Sequence, residues 1–260
     1  MGYDYQSPWF REALKVEDKL EINQLNSKET ADICIVGGGY TGLWTALKIK
    51  EKNASTKITI IEKDLCGSGA SGRNGGCMIP LSSKFTAMKK IVGTKDAIKM
   101  VKASEEALNE INKFCDVNDL DAKIRINGIV YSATNNKHRG GFDDLLRDLN
   151  DNNLNSWERL SKEKIQKLTG SNRNIDGYFS PIGGSLQPAL LARGLKRIAE
   201  KKGIKIFEHS AMSSYDYNTM ITVHTAHGSV KCKKLVLAIN AWTPSFLSFL
   251  SRSVILVSSD

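Results

Sequence analysis

The sequence has few cysteines and histidines, and they are not spaced as metal ligands. The five cysteines include no Cys-x-x-Cys pair; they are Cys34, Cys66, Cys77, Cys115 and Cys232. Their odd number and wide spacing argue against a disulfide framework and a zinc site. The four histidines show no metal spacing, and no Gly-x-Ser-x-Gly, His-Glu-x-x-His or Walker sequence is present. We therefore expect neither a metal centre nor a hydrolytic triad.

The sequence also predicts no leader and contains no long apolar runs. Residues 1–6 lack the basic-then-apolar pattern of a signal peptide, and no apolar run approaches membrane-spanning length. The formal net charge is +9, but the lysines are dispersed along the chain, which is typical of a solvated surface. We therefore expect a soluble, cytoplasmic protein that neither binds nucleic acid nor inserts into a membrane. Nothing in the sequence indicates its oligomeric state.

The first positive signal is a strand, turn, helix and strand in residues 31–62. Residues 31–36 are almost continuously apolar, as expected for a buried parallel strand. The turn that follows has the spacing Gly-x-Gly-x-x-Gly, from Gly37 to Gly42, and leads into apolar residues at helical spacing. Residues 57–61 predict a second strand that ends at Glu62. This order is typical of a βαβ unit that binds a dinucleotide.

The three glycines, the helix N-terminus and the acidic residue of such a unit each have a physical role. Gly37 permits the tight turn, Gly39 lets the backbone approach a pyrophosphate, and Gly42 lets helix and strand pack closely. The helix N-terminus offers N–H groups and a partial positive charge to the phosphates. Glu62 can accept hydrogen bonds from an adenosine ribose. The simpler alternative is a glycine-rich turn followed by an incidental surface glutamate.

The βαβ unit alone does not separate FAD from NAD, because an acidic residue at position 62 suits either cofactor. The glycine-rich stretch from Gly67 to Gly76 favours FAD. An extended flavin needs close backbone approach along its pyrophosphate, ribityl chain and ring. A flexible surface loop and an NAD-dependent dehydrogenase stay open as alternatives at this point.

Five segments together resemble the D-amino-acid-oxidase-like FAD oxidoreductases: residues 35–47, 62–63, 69–76, 187–195 and 236–244. That family includes glycine oxidase, sarcosine oxidase and the gamma-glutamylputrescine oxidoreductases, and residues 71–76 are most similar to the last group. The resemblance implies an FAD cofactor and oxidation of the C–N bond of a small amine or amino acid. It implies hydride transfer to the flavin and hydrolysis of the resulting imine, and it identifies no catalytic residue.

The resemblance also implies which residues bind FAD. They are Gly37, Gly39, Tyr40, Thr41, Gly42, Glu62, Lys63, Ala70, Ser71, Arg73, Asn74, Gly75, Met212, Ala238, Asn240 and Trp242. Met212 would grip adenine through its backbone. For Asn240 the alternative is a turn residue after a strand, and for Trp242 it is an ordinary core aromatic. Cys77, directly after the glycine loop, is expected to be a small buried residue.

We predict an α/β fold, in which a Rossmann-like FAD-binding domain carries an inserted α+β substrate domain. The expected parts are an N-terminal arm (residues 1–28), a discontinuous FAD-binding domain (residues 29–120 and 183–250) and the inserted domain (residues 121–182). The pattern predicts helices over 95–114, 162–168 and 188–201. It predicts strands within 123–131 and over 204–207, 221–225, 229–233 and 235–239, the last of them buried.

The resemblance implies that relatives continue beyond Asp260. Residues 251–260 are therefore expected to begin a C-terminal half that this sequence lacks. For that reason a truncated or non-catalytic FAD-binding subunit is the second interpretation of the chain, after the N-terminal part of an FAD-dependent amine or amino-acid oxidoreductase.

Overall fold

The computed structural model describes residues 7–17, 22–154 and 156–254. Its helices are α1 (Pro8–Lys15), α2 (Tyr40–Lys52), α3 (Phe85–Val92), α4 (Thr94–Val117), α5 (Asp143–Asp151), α6 (Lys162–Thr169) and α7 (Pro188–Lys201). Its strands are β1 (Lys28–Val36), β2 (Ile58–Ile61), β3 (Cys77–Met78), β4 (Ile129–Ala133), β5 (Glu158–Leu160), β6 (Asp176–Ser180), β7 (Gly184–Ser185), β8 (Lys205–Phe207), β9 (Ser214–Tyr217), β10 (Ile221–His224) and β11 (Ser229–Leu237). The predicted N-terminal arm and C-terminal continuation fall partly outside the described residues.

A six-stranded sheet is the centre of the first compact unit, which comprises residues 1–75 and 188–260. The strand order is β8-β2-β1-β11-β10-β9. β1 lies parallel to both β2 and β11, and β8 is parallel to β2, whereas β9 and β10 are antiparallel. The apolar runs of β1 and β2 are explained by this position, since a central parallel strand is covered on both faces. The predicted α/β class is confirmed.

The structure corrects one strand prediction in this sheet. Residues 229–233 and 235–239 were expected to form two strands, but residues 229–237 form the single strand β11, which pairs with β1 along its whole length. Its last residues were expected to be buried and are only half-buried. The reason is that Leu237 and the residues that follow it line an open cleft, described below.

Helix α2 packs unusually close to the strand that precedes it. Gly37 has φ +109°, a conformation that side chains disfavour, and a Cβ atom there would overlap the carbonyl oxygen of Ala238. A Cβ atom on Gly42, in the first turn of α2, would overlap the carbonyl oxygen of Gly37. The two glycines therefore bring the N-terminus of α2 against the carboxyl ends of β1 and β11, as the sequence predicts.

A buried cluster of charges joins α1, α7 and β8. The Arg193 guanidinium on α7 is 1% exposed; it donates to both carboxylate oxygens of Glu17, at 2.6 and 2.8 Å, and to Glu208, at 2.6 Å. Burial opposes its charge, but the two carboxylates raise the pKa of Arg193 above its ordinary value. Glu208 also accepts from the backbone N–H of Cys66 at 2.6 Å, and Lys196 lies 3.4 Å from its other oxygen. The cluster thus fixes the start of the glycine loop.

The second compact unit comprises residues 76–187. It contains a three-stranded antiparallel sheet in the order β4-β6-β5, the short pair β3-β7, and helices α3 to α6. Its core includes Phe85 and Val101 from the helices and Trp157 and Tyr178 from the sheet region. The Trp157 indole N–H donates to the buried Ser82 hydroxyl at 2.9 Å.

The unit boundaries differ from those expected. The inserted segment was expected to begin at residue 121 and end at residue 182, whereas the structure divides the chain at Gly76 and after Gln187. The reason is that α4, the predicted amphipathic helix, packs its apolar face into the core of the second unit. Residues 123–128 are also largely without strand, and Arg125 makes only an isolated bridge to Ser185. That the second unit binds substrate stays a prediction.

Replacing Gly42 with alanine is expected to destabilise the first unit by about 2 kcal/mol or more, because the new methyl group overlaps backbone that cannot move aside. Gly69→Ala is the matched control, since a Cβ atom there meets nothing within 4 Å. The check is urea denaturation of both variants. Equal midpoints for the two would contradict the packing described for α2.

Arg193→Leu is expected to lower the free energy of unfolding by about 3–5 kcal/mol, because it leaves two carboxylates buried without their partner. Arg197→Leu on the same helix is the control: its side chain is exposed and lies 3.8 Å from Glu17, so a change below about 1 kcal/mol is expected. Both values come from urea unfolding. A small loss for Arg193→Leu would show that the cluster does not hold the unit together.

Candidate functional site

A cleft of about 930 Å³ lies at the carboxyl ends of β1, β2 and β11. Residues from four segments line it: the turn after β1, the segment that begins at the end of β2, the segment after β8, and the segment after β11. In parallel sheets this edge, where loops diverge from neighbouring strands, is where ligands usually bind. The whole cleft belongs to the first unit.

The N-terminus of α2 opens into the cleft without a side-chain cap. Its N-cap residue is Gly39, which is extended (φ −86°, ψ −174°) and has no side chain to accept from the first N–H groups. The N–H of Tyr40 donates to the Ser71 hydroxyl at 2.9 Å. Gly39 and Thr41 also line the cleft. An uncapped helix start with glycine backbone beside it is suited to bind an anion such as a phosphate.

Glu62 stands directly after β2 with its carboxylate held in place. One oxygen accepts the N–H of Gly38 at 2.7 Å, and the other accepts the N–H of Asp64 at 3.0 Å. Burial raises the pKa of Glu62 above its ordinary value, although these two N–H groups act in the opposite direction. A carboxylate oriented in this way beside a helix N-terminus can accept further hydrogen bonds from ligand hydroxyl groups.

The glycine loop forms one wall of the cleft. Residues 70–72 make a short 3₁₀ helix, and the side-chain amide of Asn74 donates to the carbonyl oxygens of Ala70 and Ser71 at 3.2 and 3.1 Å. The Arg73 side chain donates to the Ser68 carbonyl at 2.6 Å. Ser71 faces the N-terminus of α2, as its bond to Tyr40 shows. The loop is therefore internally bonded rather than a loose surface segment.

The segment after β11 forms the opposite wall. The N–H of Ala238 donates to the Val36 carbonyl at 2.8 Å, which extends the pairing of β1 and β11 to the edge of the cleft. Asn240 has φ +48° and begins a 3₁₀ helix over residues 240–245. Trp242 is 53% exposed, and the Lys63 ammonium lies 4.0 Å from the centroid of its ring. Trp242 is therefore a rim residue and not a core aromatic.

The structure brings most of the sequence-predicted residues to this one cleft. Those that line it are Gly37, Gly39, Tyr40, Thr41, Glu62, Lys63, Ala70, Ser71, Arg73, Met212, Ala238, Asn240 and Trp242. Gly42, Asn74 and Gly75 do not line it: Gly42 packs α2 against the turn, Asn74 braces the glycine loop, and Gly75 is the last residue of the first unit before the chain enters the second.

Sequence reasoning missed several residues of the cleft. Among them are Asp64, Ser68, Ile239, Thr243 and Phe246. Each lies within a few positions of a predicted residue, so adjacency in the chain was the available signal. The buried carboxylate of Glu208, which holds the loop at Cys66, had no such signal because its partners come from distant segments.

Three further expectations concern features outside the cleft. Cys77 is exposed, contrary to expectation, because Met78 is the inward-facing residue of the two-residue strand β3. Among the described residues no three His, Cys, Asp or Glu side chains are grouped as metal ligands, and no described helix has the length and apolar character needed to cross a membrane.

Comparison with known proteins agrees with this geometry. Residues 32–258 match the family model described as DAO, FAD dependent oxidoreductase. The chain is 29% identical over 222 residues to gamma-glutamylputrescine oxidoreductase of Escherichia coli (strain K12), covering 85% of this chain and 51% of that relative. It therefore spans about half the length of the curated relatives it matches.

Solved structures show the same fold. L-amino acid deaminase from Proteus myxofaciens matches with a TM-score of 0.73 and 20% identity, over 91% of this chain and 51% of that one. Glycine oxidase from Bacillus cereus matches with a TM-score of 0.66 and 20% identity, over 85% and 58%. The turn, the glycine loop, the cleft between them and the match over residues 32–258 lead to one conclusion: this chain belongs to the DAO family of FAD-dependent oxidoreductases.

Proposed function

We propose that this chain binds FAD in the cleft and is the cofactor-binding part of an oxidoreductase that oxidises the C–N bond of a small amine or amino acid. The observation that carries the proposal is the convergence of residues from four segments on one cleft around the uncapped N-terminus of α2. The alternative, a glycine-rich surface turn with an incidental glutamate, does not explain why residues from four segments line one cleft.

The described residues fit each part of FAD. The pyrophosphate would lie against Gly37, Gly39 and the first turn of α2, where the glycines leave the backbone uncovered and the N-cap residue has no side chain. The adenosine ribose would donate to Glu62, with Lys63 beside it and Met212 against the adenine. The extended cleft has room for a dinucleotide, and its volume of about 930 Å³ is at the upper end of ligand pockets.

The ribityl chain and flavin ring would continue along the glycine loop. Ala70, Ser71 and Arg73 line the cleft there, and Asn74 and Gly75 follow them. Ala238, Asn240 and Trp242 would border the dinucleotide from the opposite wall. Ala70, Ser71 and Gly75 offer small side chains and backbone along this path, which suits an elongated ligand that must lie close to the main chain.

The substrate class rests on the relatives. Gamma-glutamylputrescine oxidoreductase, glycine oxidase and L-amino acid deaminase are named for amines or amino acids. FAD, when bound, supplies the hydride-accepting ring. The role of this chain would be to position that ring, and a non-catalytic FAD-binding subunit is the second candidate function. The chain spans about half the length of its curated relatives.

The purified protein is expected to show the visible absorption bands of a flavin and to release FAD on denaturation. Chromatography of the released compound distinguishes FAD from FMN and from NAD. Anaerobic addition of a panel of amines and amino acids should bleach the bands with one compound class. Stable bands with every compound would favour the non-catalytic subunit, and a colourless protein that takes up no added FAD would contradict the proposal.

Glu62→Gln is expected to weaken FAD binding roughly ten- to hundredfold at pH 7, because it replaces a charged acceptor of ribose hydroxyl groups with a neutral one. In the unsubstituted protein the ribose favours the ionised carboxylate, while burial favours the protonated form and raises the pKa of Glu62. Affinity should therefore fall as pH is lowered through this raised pKa, by up to about tenfold per pH unit.

The measurement is FAD titration by fluorescence quenching across the acidic range. Glu62→Gln should lose this pH dependence, and Glu51→Gln on the exposed face of α2 should keep it. A pH profile shared by all three proteins would show that Glu62 does not bind the ribose.

A further inference from the structure

One contact at the cleft joins the segment after β2 directly to the segment after β11. The Lys63 ammonium lies 4.0 Å from the centroid of the Trp242 ring, and both residues line the cleft. Both side chains are exposed, and Trp242 keeps 53% of its surface accessible. The contact is thus at the rim of the cleft and not in its floor.

The order of strands in the sheet shows that β1 lies between the two residues of this contact. Lys63 follows β2 and Trp242 follows β11, and β1 lies between those strands. Strands two positions apart in a sheet are separated by about 10 Å. The contact therefore spans the end of β1, the strand that leads into the turn at Gly37.

We propose that the contact between Lys63 and Trp242 is a strap that closes the cofactor cleft over the pyrophosphate of the bound dinucleotide, so that FAD enters and leaves only while the strap is open. The inference rests on the proposed function, because it takes FAD as the occupant of the cleft. It assigns Lys63 and Trp242 control of FAD entry and release, which residues that only contact the ligand do not have.

The shape of the ligand requires such an opening. FAD has a wide group at each end, the adenosine and the flavin, and a narrow pyrophosphate between them. A closed strap over the middle would require one wide end to be threaded beneath it. Opening the strap avoids this, since a cation–π contact at an exposed site shifts an open–closed equilibrium by only about two- to fivefold.

The strap and a simple ligand contact differ in their effect on association. Removing a residue that only contacts FAD speeds dissociation and leaves the association rate constant unchanged or lower. Removing one half of a strap raises the association rate constant, because a larger fraction of the free protein is open. The remaining residue of the pair then has no partner, so substituting it as well gives no further increase in the association rate constant.

The test is stopped-flow measurement of FAD binding to the apoprotein, followed by quenching of flavin fluorescence. The variants are Trp242→Leu, Lys63→Met and the double variant, with Tyr217→Leu and Lys231→Met as controls on exposed residues that do not line the cleft. High ionic strength is used throughout, because it screens the direct attraction between Lys63 and the phosphates.

Each single substitution should raise the association rate constant by up to about fivefold, the double variant should match the singles, and the controls should match the unsubstituted protein. An association rate constant that does not rise in Trp242→Leu, or increases that multiply in the double variant, would overturn the strap while leaving the FAD site intact. Absence of FAD binding by the unsubstituted protein would overturn the proposed function, and the strap with it.

Discussion

The close approach of α2 to the end of β1 is the constraint on which the site depends. Neither Gly37 nor Gly42 leaves space for a side chain, because a Cβ atom on either residue would overlap a backbone carbonyl oxygen. This approach brings the first residues of the helix, Tyr40 and Thr41, to the cleft. It also brings the ends of β2 and β11 to either side of the same point, so that Glu62 and Ala238 border one ligand path.

Two groups of charges in the first unit bear on the site. Beneath the glycine loop, Arg193 and Lys196 face Glu17 and Glu208, so the buried charges compensate one another and hold the loop at Cys66. In the cleft, the partial positive charge of the α2 N-terminus and the carboxylate of Glu62 stand close together. The first suits phosphate and the second suits ribose hydroxyl groups, so a nucleotide satisfies both.

The part of the site that sequence predicts best is local in the chain. Roughly forty residues of the chain contain the Gly-x-Gly-x-x-Gly turn, Glu62 and the glycine loop. The strands and the helix around them could be predicted from apolar periodicity. The helices over residues 94–117 and 188–201 were predicted almost to their ends for the same reason. The resemblance to a family added Met212 and the residues after β11, which spacing alone does not connect to the turn.

Features that depend on tertiary contacts were not predictable. A single β11 replaced two expected strands because its pairing with β1 continues past Lys234. The unit boundary moved to Gly76 because α4 packs in the second core. Arg193 reads as an ordinary polar position of an amphipathic helix, and only the fold brings Glu17 and Glu208 to it.

A crystal structure of the protein with FAD is the most direct measurement of the central claim. The account predicts electron density for the pyrophosphate at the N-terminus of α2, with the adenosine ribose within hydrogen-bonding distance of Glu62 and the flavin directed along residues 70–75. Density for FAD in the opposite orientation, at another surface, or nowhere in the cleft at saturating FAD would contradict it.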